Sequence, residues 1–103
     1  MKLSIVGDIP EGKEGGRLRI IDTFVQDHKG GGGVVLCAGS MRLLHVTDKY
    51  AKDKGYPSII FGNATELAIL NADKVLLLWS KAYDLEDLVV LCKKYKKPHM
   101  EIR

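Results

Sequence analysis

The sequence predicts an α/β protein: a three-layer α/β/α sandwich built on a five-stranded parallel sheet with strand order 3-2-1-4-5. Three observations carry this expectation. Short apolar segments alternate with amphipathic stretches along the whole chain, the pattern of repeated strand-helix-strand units. The run Val75 to Trp79 is apolar at every position, as a parallel strand buried on both faces must be. Right-handed crossovers then leave few topologies, and helices on both faces fit the order given.

Each element has its own signal. Lys2 to Gly7 reads as the first strand, ending in glycine. Asp8 to Gly16 reads as a polar loop carrying Pro10, Gly12, Gly15 and Gly16. Arg17 to His28 reads as the first helix, because Leu18, Ile21, Phe24 and Val25 recur at helical spacing. Gly30 to Gly33 stop it. Val34 to Ala38 is the second strand, and Gly39-Ser40 a tight turn. Met41 to Lys54 is the second helix, with Leu43, Val46, Tyr50 and Ala51 on its buried face and Gly55 as its stop. Ser58 to Phe61 is the third strand and Ala64 to Asn71 a short third helix. Lys74 to Trp79 is the fourth strand. Leu85 to Tyr95 is the fourth helix, striped by Leu85, Leu88, Val89 and Cys92. His99 to Ile102 alternates polar and apolar after Pro98 and fits an edge strand.

Composition bounds the function. The 103 residues are 46% hydrophobic and 28% charged, the balance of one globular domain spanning residues 1–103 and not of a disordered chain. No apolar run is long enough for a membrane span. The N-terminus meets Gly7 and Asp8 before a signal-peptide core forms, so the expected location is cytoplasmic. The net charge of +3 gathers at Lys93, Lys94, Lys96 and Lys97. Only Tyr95 interrupts that cluster, so it reads as a solvated helix end rather than a nucleic-acid interface. Cys37 and Cys92 sit in apolar surroundings and read as buried free thiols.

The predicted topology places a site beyond the carboxyl ends of the strands, where the order reverses between the first and fourth. The loops in reach begin at Gly7-Asp8, Gly39-Ser40, Gly62 and Ser80-Lys81, and each feeds a helix N-terminus that favours an anion. The ligand-binding candidates are therefore Gly7, Asp8, Gly39, Ser40, Ser80 and Lys81. Lys81 suits a phosphate, and Trp79 or Tyr83 a base. The glycine-rich first loop matches neither G-x-G-x-x-G nor a Walker loop, so no cofactor is expected. A receiver-type acid is missing at the third strand's end, which is Phe61-Gly62. His28, His45 and His99 are scattered, His45 alone being placed to reach the carboxyl edge, and no ligand cluster points to a metal.

Two segments together resemble the SLOG superfamily, the Rossmann-like group that includes DprA-type and lysine-decarboxylase-like (phosphoribohydrolase) proteins. Val34 to Gly55 is similar to the family's strand, glycine turn and helix ending in Ala-x-x-x-Gly. Ala72 to Pro98 carries a similar strand, Ala-Asp-Lys-Val-Leu-Leu-Leu-Trp, then Leu85-Glu86-Asp87-Leu88 and Lys96-Lys97-Pro98. The family's paired glycines are reduced to Ala38-Gly39. Its second glycine motif would fall on Trp79 to Asp87, where Ser80, Lys81 and Tyr83 replace glycines. The resemblance thus implies a Rossmann-like sheet and a degenerate member of the group.

Three functions are weighed. The first is non-catalytic binding of a nucleotide or nucleotide-derived small molecule at the carboxyl edge. The second is a protein-interaction module whose pocket has decayed, with homodimerisation through a sheet edge. The third is hydrolysis of a nucleotide glycosidic bond, for which Glu66, Asp84 and Asp87 are the candidate acids, with Asp8 beside them. For Asp84 the competing role is capping the fourth helix.

Overall fold

The computed structural model describes residues 1–28, 33–81 and 84–103. The elements run β1 (Lys2–Gly7), α1 (Glu14–His28), β2 (Val34–Gly39), α2 (Met41–Lys54), β3 (Ser58–Ile60), α3 (Thr65–Leu70), β4 (Lys74–Leu78), α4 (Leu85–Lys94) and β5 (His99–Ile102). The five strands form one sheet in the order β3-β2-β1-β4-β5, and every pairing is parallel. The three-layer α/β/α architecture and strand order expected from the sequence are those observed.

Side-chain alternation along the strands builds two cores. Leu3, Ile5, Val35, Cys37, Leu76 and Leu78 face α1 and α2, meeting Ile21, Phe24, Val25, Leu43 and Ala51. Val6, Leu36, Ala38, Val75 and Leu77 face α3 and α4, meeting Ala68, Ile69, Leu85, Leu88 and Cys92. Each fully buried Leu or Ile contributes about 1.5–3 kcal/mol of transfer free energy, so the central strands dominate stability. Ser4 is the polar exception in β1; its Oγ donates to the Ala68 carbonyl at 3.0 Å, which ties α3 to the sheet. Cys37 and Cys92 are buried and free. Burial raises both thiols to a pKa of about 11, with Asp48 adding to the effect at Cys37 and Glu101 at Cys92.

Several boundaries differ from the sequence reading. Helix α1 begins at Glu14, not Arg17, and so contains Gly15 and Gly16. A turn closed by Lys13 N–H on the Pro10 carbonyl leads into the Arg17 N–H to Lys13 carbonyl bond, and this starts the helix through the glycines. Leu18, expected on the buried stripe, is 39% exposed. On α2 the buried face is Leu43, Leu44, Thr47, Tyr50 and Ala51, with Val46 only half-buried. Its limits hold as predicted, because Ser40 caps the start and Gly55, left-handed at φ 77°, stops the end. Strand β2 gains Gly39; β3, α3, β4 and α4 each lose a residue or two at their ends. The helix-stop reading of Gly30 to Gly33 falls largely outside the described residues. Among those described, no helix is long and apolar enough to cross a membrane.

Candidate functional site

The carboxyl edge at β1 and β4 is built from backbone in close approach. Register places Gly7 beside both Gly39 and Leu78. Both glycines have positive φ, 125° at Gly7 and 137° at Gly39. A Cβ on Gly7 would collide with the Leu78 carbonyl oxygen, and one on Gly39 with the Gly7 carbonyl oxygen. The glycines therefore let neighbouring strands converge. The strand ends then pair with one another. Asp8 N–H donates to the Leu78 carbonyl at 3.0 Å, Ser40 N–H to the Gly7 carbonyl at 3.0 Å, and Gly39 N–H to the Gly62 carbonyl at 2.8 Å.

Asp8 and Ser80 meet at this edge. Ser80 Oγ donates to Asp8 Oδ2 at 2.5 Å, across 72 residues of sequence. Asp8 is 8% exposed and Ser80 5%. No salt bridge among the described residues reaches the Asp8 carboxylate. Burying a carboxylate costs free energy that a neutral hydroxyl offsets only in part, which marks the position as a functional candidate.

The other predicted residues fall as follows. Ser40 caps α2, its Oγ accepting from Leu43 N–H at 3.2 Å. Lys81 is exposed just past β4. Trp79 is half-buried and packs on the α3/α4 core. Tyr83 lies outside the described residues. Asp84 caps α4, accepting from Glu86 N–H at 2.9 Å, and so occupies that helix's anion seat with its own carboxylate. Asp87 is exposed in the first turn of α4. Glu66 accepts from the Tyr95 hydroxyl at 2.8 Å, at the far end of α4 from Asp84 and Asp87. The candidate acids are thus not brought to one point, and no group of three His, Cys, Asp or Glu suited to a metal occurs among the described residues.

His45 borders a shallow groove of about 290 Å³ between α1 and α2, with Leu18, Val46 and Tyr50 as its apolar lining. Beside that groove the Tyr50 hydroxyl donates to Asp22 Oδ1 at 2.7 Å. This bond, with smaller help from Gln26 and Lys54, holds the Asp22 carboxyl below its ordinary range. Sequence reasoning assigned no role to Arg42. Its Nη1 donates to the Ile9 carbonyl at 3.0 Å, and its Nε lies 3.4 Å from Glu14, joining the β1–α1 loop to α2. The only hint in the sequence is its place in the first turn of a helix that follows Gly39-Ser40.

No family model matches the chain, and no curated protein matches it. Among solved structures it is similar to the crystal structure of the Pyrococcus horikoshii OT3 translation initiation factor eIF-2B, with a TM-score of 0.65 and 16% identity. The match covers 96% of this chain and 38% of that one, and at this identity it shows a shared α/β fold.

Proposed function

We propose that the chain is a non-catalytic binding domain for a nucleotide or nucleotide-derived small molecule, held at the carboxyl edge of the sheet. The observation that carries this reading is the buried Asp8 carboxylate, paired with Ser80 and with no salt bridge among the described residues. A carboxylate accepts hydrogen bonds, so the ligand group beside it must donate, as a ribose hydroxyl does. A phosphate belongs further out, at the start of α2, where Ser40 takes only the Leu43 amide, and near the exposed Lys81. The resemblance to SLOG proteins supports the same edge. The experiment is a thermal-shift screen of nucleoside mono-, di- and triphosphates, cyclic nucleotides and ADP-ribose derivatives. A bound ligand at one hundred times its Kd adds about 2.7 kcal/mol, and Asp8→Asn or Lys81→Ala removes that gain. A flat screen with folded protein contradicts the reading.

A second reading is favoured by a different observation. Strand β3 is a three-residue edge strand, with Ile59 48% and Ile60 50% exposed. An apolar edge of this kind suits pairing with a second copy of the chain. Light scattering across a concentration series tests it: a monomer at every concentration removes homodimerisation through β3.

A further inference from the structure

We propose that the amino edge of the sheet, at the corner where α4 ends, binds the phosphate backbone of double-stranded nucleic acid without reading its sequence. In the sequence the lysines there look like one solvated helix end. In the fold three strand starts join them. Asp73 N–H donates to the Lys2 carbonyl at 2.7 Å and Val75 N–H to the Pro98 carbonyl at 3.0 Å; the register thus sets Lys2 and Lys97 in one row on either side of Asp73, with Lys74 one residue further along β4 on the α1 side. Adjacent strands lie about 4.8 Å apart, so this row spans about 10 Å. Lys93, Lys94 and Lys96 extend it along the end of α4. None of these six lysines has a carboxylate partner among the described residues. Of the acids beside them, Asp73 accepts from Lys2 N–H at 2.7 Å and Glu66 from the Tyr95 hydroxyl at 2.8 Å.

Backbone geometry adds an independent argument. Lys96, at φ 55°, is the single non-glycine residue with positive φ among those described. It occupies the left-handed position of a helix-ending motif in which Lys97 N–H donates to the Cys92 carbonyl and Lys96 N–H to the Lys93 carbonyl, at 2.8 and 3.1 Å. Glycine is the low-strain residue at that position. A lysine there places a cation at a conformational cost, as functional positions do. Lysines act as point charges and suit phosphates rather than base edges. Single strands need free aromatic faces for stacking. Tyr95 offers none, since its hydroxyl is bound and Lys94 Nζ lies 5.2 Å over its ring.

The test is fluorescence anisotropy with a 20-base-pair duplex of arbitrary sequence. With about five phosphates neutralised, affinity should fall several hundred-fold between 50 and 200 mM salt. Lys96→Gly should raise Tm by about 4–8 °C while lowering the salt slope by about one, which separates binding from folding. The Lys93→Ala/Lys97→Ala double variant should lower the slope by about two. Asp8→Asn should leave duplex binding unchanged, so this result and the small-ligand screen fail independently. No binding at 50 mM salt overturns the proposal. So does binding that ignores the lysine variants, a preference for single strands, or equal binding to poly-glutamate or to anionic vesicles.

Discussion

The two ends of the sheet handle charge in opposite ways. At the carboxyl edge the strand termini hydrogen-bond to one another, two glycines let them converge, and one carboxylate is buried against a hydroxyl. At the amino edge the backbone is equally well paired, yet the six lysines around it make no ion pair among the described residues. Burial makes the difference. A charge in a low-dielectric site acts strongly on one neighbouring group, so it suits a small ligand held by a few contacts. Exposed charges are screened within about 10 Å at 0.1 M salt, so they act collectively and suit a large, highly charged partner.

The largest expected effect tests whether the carboxyl edge is closed by its backbone. Gly39→Ala should cost at least about 3 kcal/mol, because the collision is with a carbonyl oxygen and φ is positive. Urea denaturation measures it. A variant within 1 kcal/mol of the parent would show that the strands have room to part there, and the contrast between the edges would lose its basis. Between the two edges lies a dry core, which thiol chemistry reports. Cys37 and Cys92, with pKa values of about 11, should not react with a disulfide reagent at pH 8 until urea unfolds the chain. Prompt reaction of either would mean that water reaches the sheet between its ends.

A smaller effect concerns the α1–α2 seam, where a second carboxyl, Asp22, accepts from a hydroxyl in a less buried setting. The Tyr50 hydroxyl lowers the Asp22 pKa in the folded state. The resulting stability is present above the unfolded pKa of about 3.9 and is lost as pH falls through the lower folded value. Tyr50→Phe should therefore flatten the loss of stability below about pH 4. An unchanged acid limb would remove the seam as a reference for Asp8. The smallest effect is at Gly15, where an added Cβ meets nothing within 4 Å. Gly15→Ala should stabilise by about 0.4–1 kcal/mol, opposite in sign to Gly39→Ala. Destabilisation by Gly15→Ala would mean that the first turn of α1 also requires glycine, and the contrast with Gly39 would fail.

Much of the fold was legible because local signals agreed with the global one. Helix α2 was bounded correctly since Ser40 and Gly55 supply both caps. The start of α1 at Glu14 is hidden in the sequence because Gly15-Gly16 looks like loop, and only the turn at Pro10 to Lys13 shows the helix beginning before them. At the site, Asp8 and Ser80 were each named from topology, but their pairing depends on the register of β1 against β4. Gly7 and Gly39 looked like residues that admit a ligand; the structure gives them a demand from neighbouring strands. The lysine corner was hidden for a similar reason. Lys2 and Lys97 are distant in sequence and come to flank Asp73 only when three strands align.

The central claim is that Asp8 is buried for a ligand and not for the fold, and one variant tests it directly. Asp8→Asn keeps the side chain's size and its hydrogen bond with Ser80 while removing a buried carboxylate that no described residue salt-bridges. Its Tm, measured without ligand, should equal or exceed that of the parent, and its response to the nucleotide series should vanish. A fall in Tm of 10 °C or more without ligand would mean that the carboxylate holds the sheet edge together, and the claim would fail.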